Sequence, residues 1–144
     1  MRERKGERVR KAFRMSVNPG HETEYARRHQ PIWKELEDVL LAHGVQSYSI
    51  FIDGETRDLF GYVEIEDEAR WAAIAHTDVC RRWWRHMREL MPANADDSPV
   101  SSELREVFHI DRTDHPGVLE DAVARTGGTN DLEGHHARRP DAEG

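Results

Sequence analysis

The sequence predicts an α+β domain: one antiparallel sheet of four strands with helices packed against one of its faces. Three observations carry this expectation. Strand-like alternation occurs in three stretches, at 9–17, 45–53 and 59–65. Helical periodicity fills the gap between the first and second stretches and returns after the third. A short apolar segment near the end of the patterned region supplies a fourth strand.

Val9 to Val17 alternates, with Val9, Phe13, Met15 and Val17 on one side and Arg10 and Arg14 on the other. That is the pattern of a half-buried strand, and Asn18-Pro19-Gly20 ends it. His21 to His43 then places Tyr25, His29, Ile32, Trp33, Leu36, Val39 and Leu40 at three- and four-residue spacing, on one helical stripe. Pro31 removes a helical hydrogen bond and bends this helix or divides it in two. Gly44 stands where a helix C-terminal glycine belongs. The second strand, Val45 to Asp53, sets Tyr48, Ile50 and Ile52 on one face and Val45, Ser47, Ser49 and Phe51 on the other. Asp53-Gly54-Glu55-Thr56-Arg57 forms a hairpin connection to a third strand, Leu59 to Ile65. Asp67 to Ala75 is a short helix, and Thr77-Asp78 caps the next one, which runs to about Met91 before Pro92 stops it. After the loop Asp96-Asp97-Ser98-Pro99, Leu104, Phe108 and Ile110 share one face of a fourth strand, with Val107 on the other.

The order β-α-β-β-α-β is that of a ferredoxin-like sandwich. Its second sheet face, carrying Val45 and Phe51, is left without cover. Two such sheets packed face to face in a homodimer, a dimeric α/β-barrel, supply that cover.

At 144 residues, one domain is the default. The composition is 37% hydrophobic and 34% charged, and the apolar shortfall is local. Residues 1–8, MRERKGER, form a charged leader. From Asp111 to Gly144 the only aliphatics larger than alanine are Val118, Leu119, Val123 and Leu132. Such a tail buries too little to offset its ordering entropy and is expected to be disordered, leaving residues 9–110 as the folded domain. Neither an apolar leader nor a segment long enough to span a membrane is present, so a cytoplasmic protein is expected. A net charge of −7 argues against nucleic-acid binding, and no membrane partner is implied. The single cysteine, Cys80, permits no internal disulfide and no cysteine-based metal site. His109, His115, His135 and His136 lack ligand spacing, so no metal site is read in them.

The stretch VCRRWWRHMRELMPANADDSPVSSELREVF puts two adjacent tryptophans, Trp83 and Trp84, on one helix. Consecutive helix positions point about 100° apart, so spacing alone allows one or both to be core. With Tyr25, Arg28, His29, Pro31 and Trp33 upstream, however, the set suggests a carbohydrate site containing a histidine. His29 shares a helix face with Tyr25 one turn earlier. Taken alone, His29 and Tyr48 read equally well as packing residues. Asp96 and Asp97 sit in a proline-bounded loop and read as turn formers rather than as catalytic carboxylates.

The segments RKAFRMSVNPG, YARRHQPIWKELEDVL, HGVQSYSIF, VEIEDEARW and TDVCRRWWRHMRELMPANADDSPVSSELREVF resemble the L-rhamnose mutarotases. The resemblance runs from about Val9 to Ile110, through every predicted element, and leaves out the leader and the tail. It implies a homodimeric α/β-barrel without a cofactor that interconverts the α and β anomers of L-rhamnopyranose. It implies that His29 is the proton donor and that Tyr25, Tyr48, Trp83 and Trp84 bind the sugar. Anomer exchange by ring opening needs an acid and a base near neutrality, which a histidine supplies. Three other readings share the fold: a mutarotase of a related sugar, a non-catalytic small-molecule binding module, and a cofactor-free monooxygenase.

Overall fold

A computed structural model describes residues 8–115 and 117 of the chain. The expected charged leader, apart from Arg8, and most of the expected disordered tail lie outside these residues. The chain divides after Glu106 into two units. The first holds a four-stranded sheet in the order β2-β3-β1-β4, built from β1 (Val9–Ser16), β2 (Val45–Ile52), β3 (Asp58–Ile65) and β4 (Ser102–Leu104). All neighbours are antiparallel. Helices α1 (Glu22–Arg28) and α2 (Lys34–Ala42) join β1 to β2, and α3 (Glu68–Ala73) and α4 (Asp78–Met87) precede β4. This is the ferredoxin-like α+β arrangement that the element order predicts.

The helix predicted over 21–43 is two helices, and Gln30-Pro31 lies in the interruption. A proline has no N–H to give to the turn before it, so the helix stops. Asp67 and Thr77 cap α3 and α4 by accepting the N–H groups of Arg70 and Cys80, which satisfies donors a helix start leaves orphaned.

The core lies between sheet and helices, in two patches. Met15, Val17 and Leu59 pack with Tyr25, Leu36, Val79, Trp83 and Met87. Val45, Val63 and Ile65 pack with Ile74 and Cys80. Leu59, Val63 and Ile65 are fully buried on β3, and each contributes roughly 1.5–3 kcal/mol of apolar transfer.

Two details depart from the sequence reading. Val45 does not share the open face with Phe51. The β2–β3 register shifts between Val45 and Ser47, and this bulge turns Val45 inward, where it is buried beside Ile65. Phe51 stays on the open face, 64% exposed, opposite Phe60. The fourth strand also ends at Leu104, where its pairing to β1 stops at Ala12. Alternation marks a segment able to form a half-buried strand, but a strand also needs a pairing partner. In the second unit Val107, Phe108 and Ile110 form no strand and are exposed. Asp111 then caps a 3₁₀ turn at Arg112–Asp114.

Candidate active site

The end of α1 positions the histidine. The last carbonyls of a helix have no intrahelical donor. His29 turns its own backbone N–H to the Ala26 carbonyl. The Tyr25 carbonyl then receives the imidazole, with Nδ1 2.9 Å away. A carbonyl only accepts, so Nδ1 carries the proton and Nε2 of the neutral ring is an acceptor. Burial lowers the His29 pKa below its ordinary value of 6.5, against a smaller upward pull from the Tyr25 carbonyl. The imidazole is therefore a neutral base near pH 7.

Aromatic rings surround it. The Tyr25 ring lies 4.5 Å from the imidazole at 32°, and Trp83 meets the imidazole edge-on at 5.3 Å. Trp33 meets Trp83 edge-on at 5.0 Å. Tyr48 extends the wall, with Trp71 at 5.8 Å and Phe13 at 6.2 Å, both near perpendicular. Phe13 reaches Tyr48 by crossing Gly61. A Cβ at Gly61 would come within 2.4 Å of the Phe13 ring, so this strand position has room only for hydrogen.

Tyr25, His29, Tyr48, Trp83 and Trp84 all line one cleft of about 1070 Å³. The structure thus brings these five residues to one cleft, whereas Arg28, Pro31 and Trp33 are not among its lining residues. Burial raises the pKa of the Tyr25 and Tyr48 phenols, which keeps both protonated as hydrogen-bond donors. The two ring systems of α4 differ. Trp83 is 8% exposed and belongs to the core against Tyr25 and Leu36, while Trp84 is half-buried and bridges both core patches. Cys80 is buried, and its thiol is pushed up to about 11. It is a packing group rather than a nucleophile.

Arg28 is close to the site without lining it. It donates to Glu24 on its own helix, to the His86 carbonyl at the end of α4 and to Glu89 in the turn that follows, tying α1 to α4. His86 was not singled out from the sequence. Its ring lies 5.2 Å from Trp33 and 5.6 Å from Trp83. Its position one turn after Arg82 on a polar helix face gave no signal of this contact. Among the described residues no group of three or more His, Cys, Asp or Glu side chains could hold a metal ion.

Comparison with known proteins gives a consistent result. The family model described as L-rhamnose mutarotase matches residues 10–110. An L-rhamnose mutarotase from Opitutus terrae is 69% identical over 103 residues, covering 72% of this chain and 99% of that protein. One from Enterobacter sp. is 60% identical over the same length and coverage. Among solved structures, L-rhamnose mutarotase from Formosa agariphila is 39% identical with a TM-score of 0.66, over 72% of this chain and 99% of that one. A putative antibiotic biosynthesis monooxygenase from Bordetella bronchiseptica shares the fold at a TM-score of 0.53 and 12% identity, over 70% and 98%.

Proposed function

The chain belongs to the L-rhamnose mutarotase family, and from that premise we infer that it is a carbohydrate isomerase that interconverts the α and β anomers of L-rhamnopyranose. We propose that His29 is its acid/base group. The observation that carries this reading is the place of the His29 ring on the cleft beside Tyr25 and Trp83, with Nδ1 held by the Tyr25 carbonyl and Nε2 left as the acceptor.

The chemistry follows from that geometry. Nε2 takes the proton of the anomeric hydroxyl as the bond from C1 to the ring oxygen breaks. The imidazolium then returns the proton to the ring oxygen. Both oxygens sit on C1, so one nitrogen can serve them, and no proton is gained or lost overall. C1 is now an aldehyde, rotation about the C1–C2 bond presents its other face, and the reverse transfers close the ring. The Tyr25 and Tyr48 phenols donate hydrogen bonds to the sugar. Trp83 and Trp84 offer flat apolar faces to its C–H surface.

Anomer exchange measured by NMR saturation transfer on L-rhamnose tests this. Exchange should exceed the spontaneous rate, and His29→Ala should lose about 10²–10⁴-fold. A variant within threefold of the parent would exclude His29 and turn attention to a phenol.

We further propose a cytoplasmic homodimer, with residues 9–110 as the working domain and the flanking segments as leader and tail. The open sheet face supports the dimer: Phe51 is 64% exposed, Phe60 38% and Leu104 37%. Exposed large apolar side chains gathered on one sheet face favour an interface. Sedimentation at micromolar concentration should give twice the chain mass, and a stable monomer would refute the dimer. Among the described residues no helix is long and apolar enough to cross a membrane.

A further inference from the structure

Lys11 breaks the pattern of the strand that carries it. On β1 it sits at the inward parity with Val9, Phe13 and Met15, facing the helices from a strand flanked on both sides. Its side chain is only 16% exposed. Nζ donates to Glu103 at 2.8 Å and to Glu68 at 3.0 Å. Neither contact explains the placement. Both carboxylates are well exposed, at 62% and 70%, and exposed ion pairs contribute about 0–1 kcal/mol. An apolar side chain would suit the position better. A local rule broken without structural gain points to function.

The surroundings say which function. Lys11 and Glu103 line the same cleft as His29, together with Phe13, Tyr48 and Trp71. Across the sheet Lys11 is level with Tyr48, since both pair with Val63 on β3. That puts the two backbones about 10 Å apart, twice the strand spacing. Glu68, which receives Lys11, lies one turn before Trp71, and Trp71 meets Tyr48. The rings of Phe13, Tyr48 and Trp71, which line the same cleft as His29, thus end beside an ammonium–carboxylate pair. An ammonium has three N–H donors, and Glu68 and Glu103 take two of them.

We propose that Lys11 and Glu103 bind the hydroxyls of the pyranose ring remote from C1, at C3 and C4, and so determine which sugars the cleft accepts. This deepens the reading of the cleft as a mutarotase site and rests on it. The ammonium donates its third N–H to one hydroxyl oxygen, and the Glu103 carboxylate accepts from the neighbouring hydroxyl. A vicinal diol fits this pair, and the aromatic end is left to C1.

Ring opening needs only C1 and the ring oxygen, so sugars lacking O3 or O4 still exchange anomers. This makes the test direct. Exchange of L-rhamnose and of its 3-deoxy and 4-deoxy derivatives is measured for the unmodified protein and for Lys11→Met, which keeps the apolar stem. On L-rhamnose, Lys11→Met should lose about ten- to a hundredfold in kcat/KM, the range for a hydrogen bond to a charged group, chiefly through KM. The unmodified protein should show a comparable loss on one of the deoxy sugars, and Lys11→Met should lose nothing further on that sugar. Equal losses on all three sugars, or none on L-rhamnose, would overturn the proposal. If Lys11→Met does not fold, Glu103→Gln, at an exposed edge position, is read by the same comparison. Absence of exchange in the unmodified protein would overturn the mutarotase reading itself, a result distinct from the others.

Discussion

Two histidines close the two halves of the interrupted helix with the same local device, and only one of them faces the cleft. His29 follows α1 and sets Nδ1 2.9 Å from the Tyr25 carbonyl. His43 follows α2 and sets Nδ1 2.9 Å from the Val39 carbonyl. The spacing is four residues in each case. The surroundings differ. His29 has Tyr25 and Trp83 against its ring and lines the cleft. His43 precedes Gly44 and the strand, and the cleft lining does not include it. The helix end fixes a tautomer in both. We attribute the proposed reactivity of His29 to the aromatic enclosure that burial builds around its ring alone.

The sharpest way to break this comparison is to remove each ring in turn. His29→Ala should lose about 10²–10⁴-fold in anomer exchange, whereas His43→Ala should stay within about twofold of the parent, as for groups that touch no reacting atom. A large rate loss in His43→Ala at unchanged stability would show that the shared device, not the enclosure, matters.

Next in size is a change to the enclosure. Gly61→Ala places a methyl group within 2.4 Å of the Phe13 ring. Overpacking of this kind costs about 1–3 kcal/mol, and the Phe13 ring, which meets Tyr48 edge-on, must shift. Denaturant unfolding should register that loss, and KM should rise. A variant of parental stability and KM would show that Phe13 yields without disturbing Tyr48.

Acid titration sharpens the electrostatic side of the contrast. Burial lowers the His29 pKa, so the neutral base persists below 6.5. The acid limb of kcat/KM should therefore fall at a pH below the ordinary histidine value, and Trp83→Ala, which opens the site to water, should move it upward. The same shift bears on stability. Between the folded pKa and 6.5 the unfolded chain holds a proton that the folded chain lacks, so the His29 contribution is full above 6.5 and is lost as pH falls through that window. An acid limb at or above 6.5 would contradict the enclosure.

Much of this was legible in the sequence, for identifiable reasons. Periodicity located β1, β2 and β3, and Pro31 located the break between α1 and α2, because each is a local effect. The resemblance, rather than spacing, picked out Tyr25, His29, Tyr48, Trp83 and Trp84, and the fold brings them to one cleft. What escaped depends on non-local pairing. The bulge that turns Val45 inward arises from register with β3. The end of β4 depends on where β1 stops pairing with it. The contact of His86 with Trp33 joins α4 to the segment after α1. Lys11 passed unnoticed because its neighbours at the same parity already made a strand, and one charge did not disturb the pattern.

The smallest effect belongs to the stability of His43. Its carbonyl partner is not orphaned without the ring, because the backbone N–H of His43 also reaches Val39 at 3.1 Å. At His29 the backbone N–H goes to Ala26 instead, so the imidazole is the donor that the Tyr25 carbonyl gains. A typical intramolecular hydrogen bond contributes about 0.5–1.5 kcal/mol, and the larger penalties arise when a buried partner is left unsatisfied. His43→Ala should therefore sit at the low end, about 0.5 kcal/mol, and His29→Ala should cost more for the carbonyl it strands. Urea unfolding of the two variants against the parent, under one set of conditions, separates the terms. If His43→Ala proves the more costly, the two helix ends differ in what they hold together, and the equivalence of their local device fails.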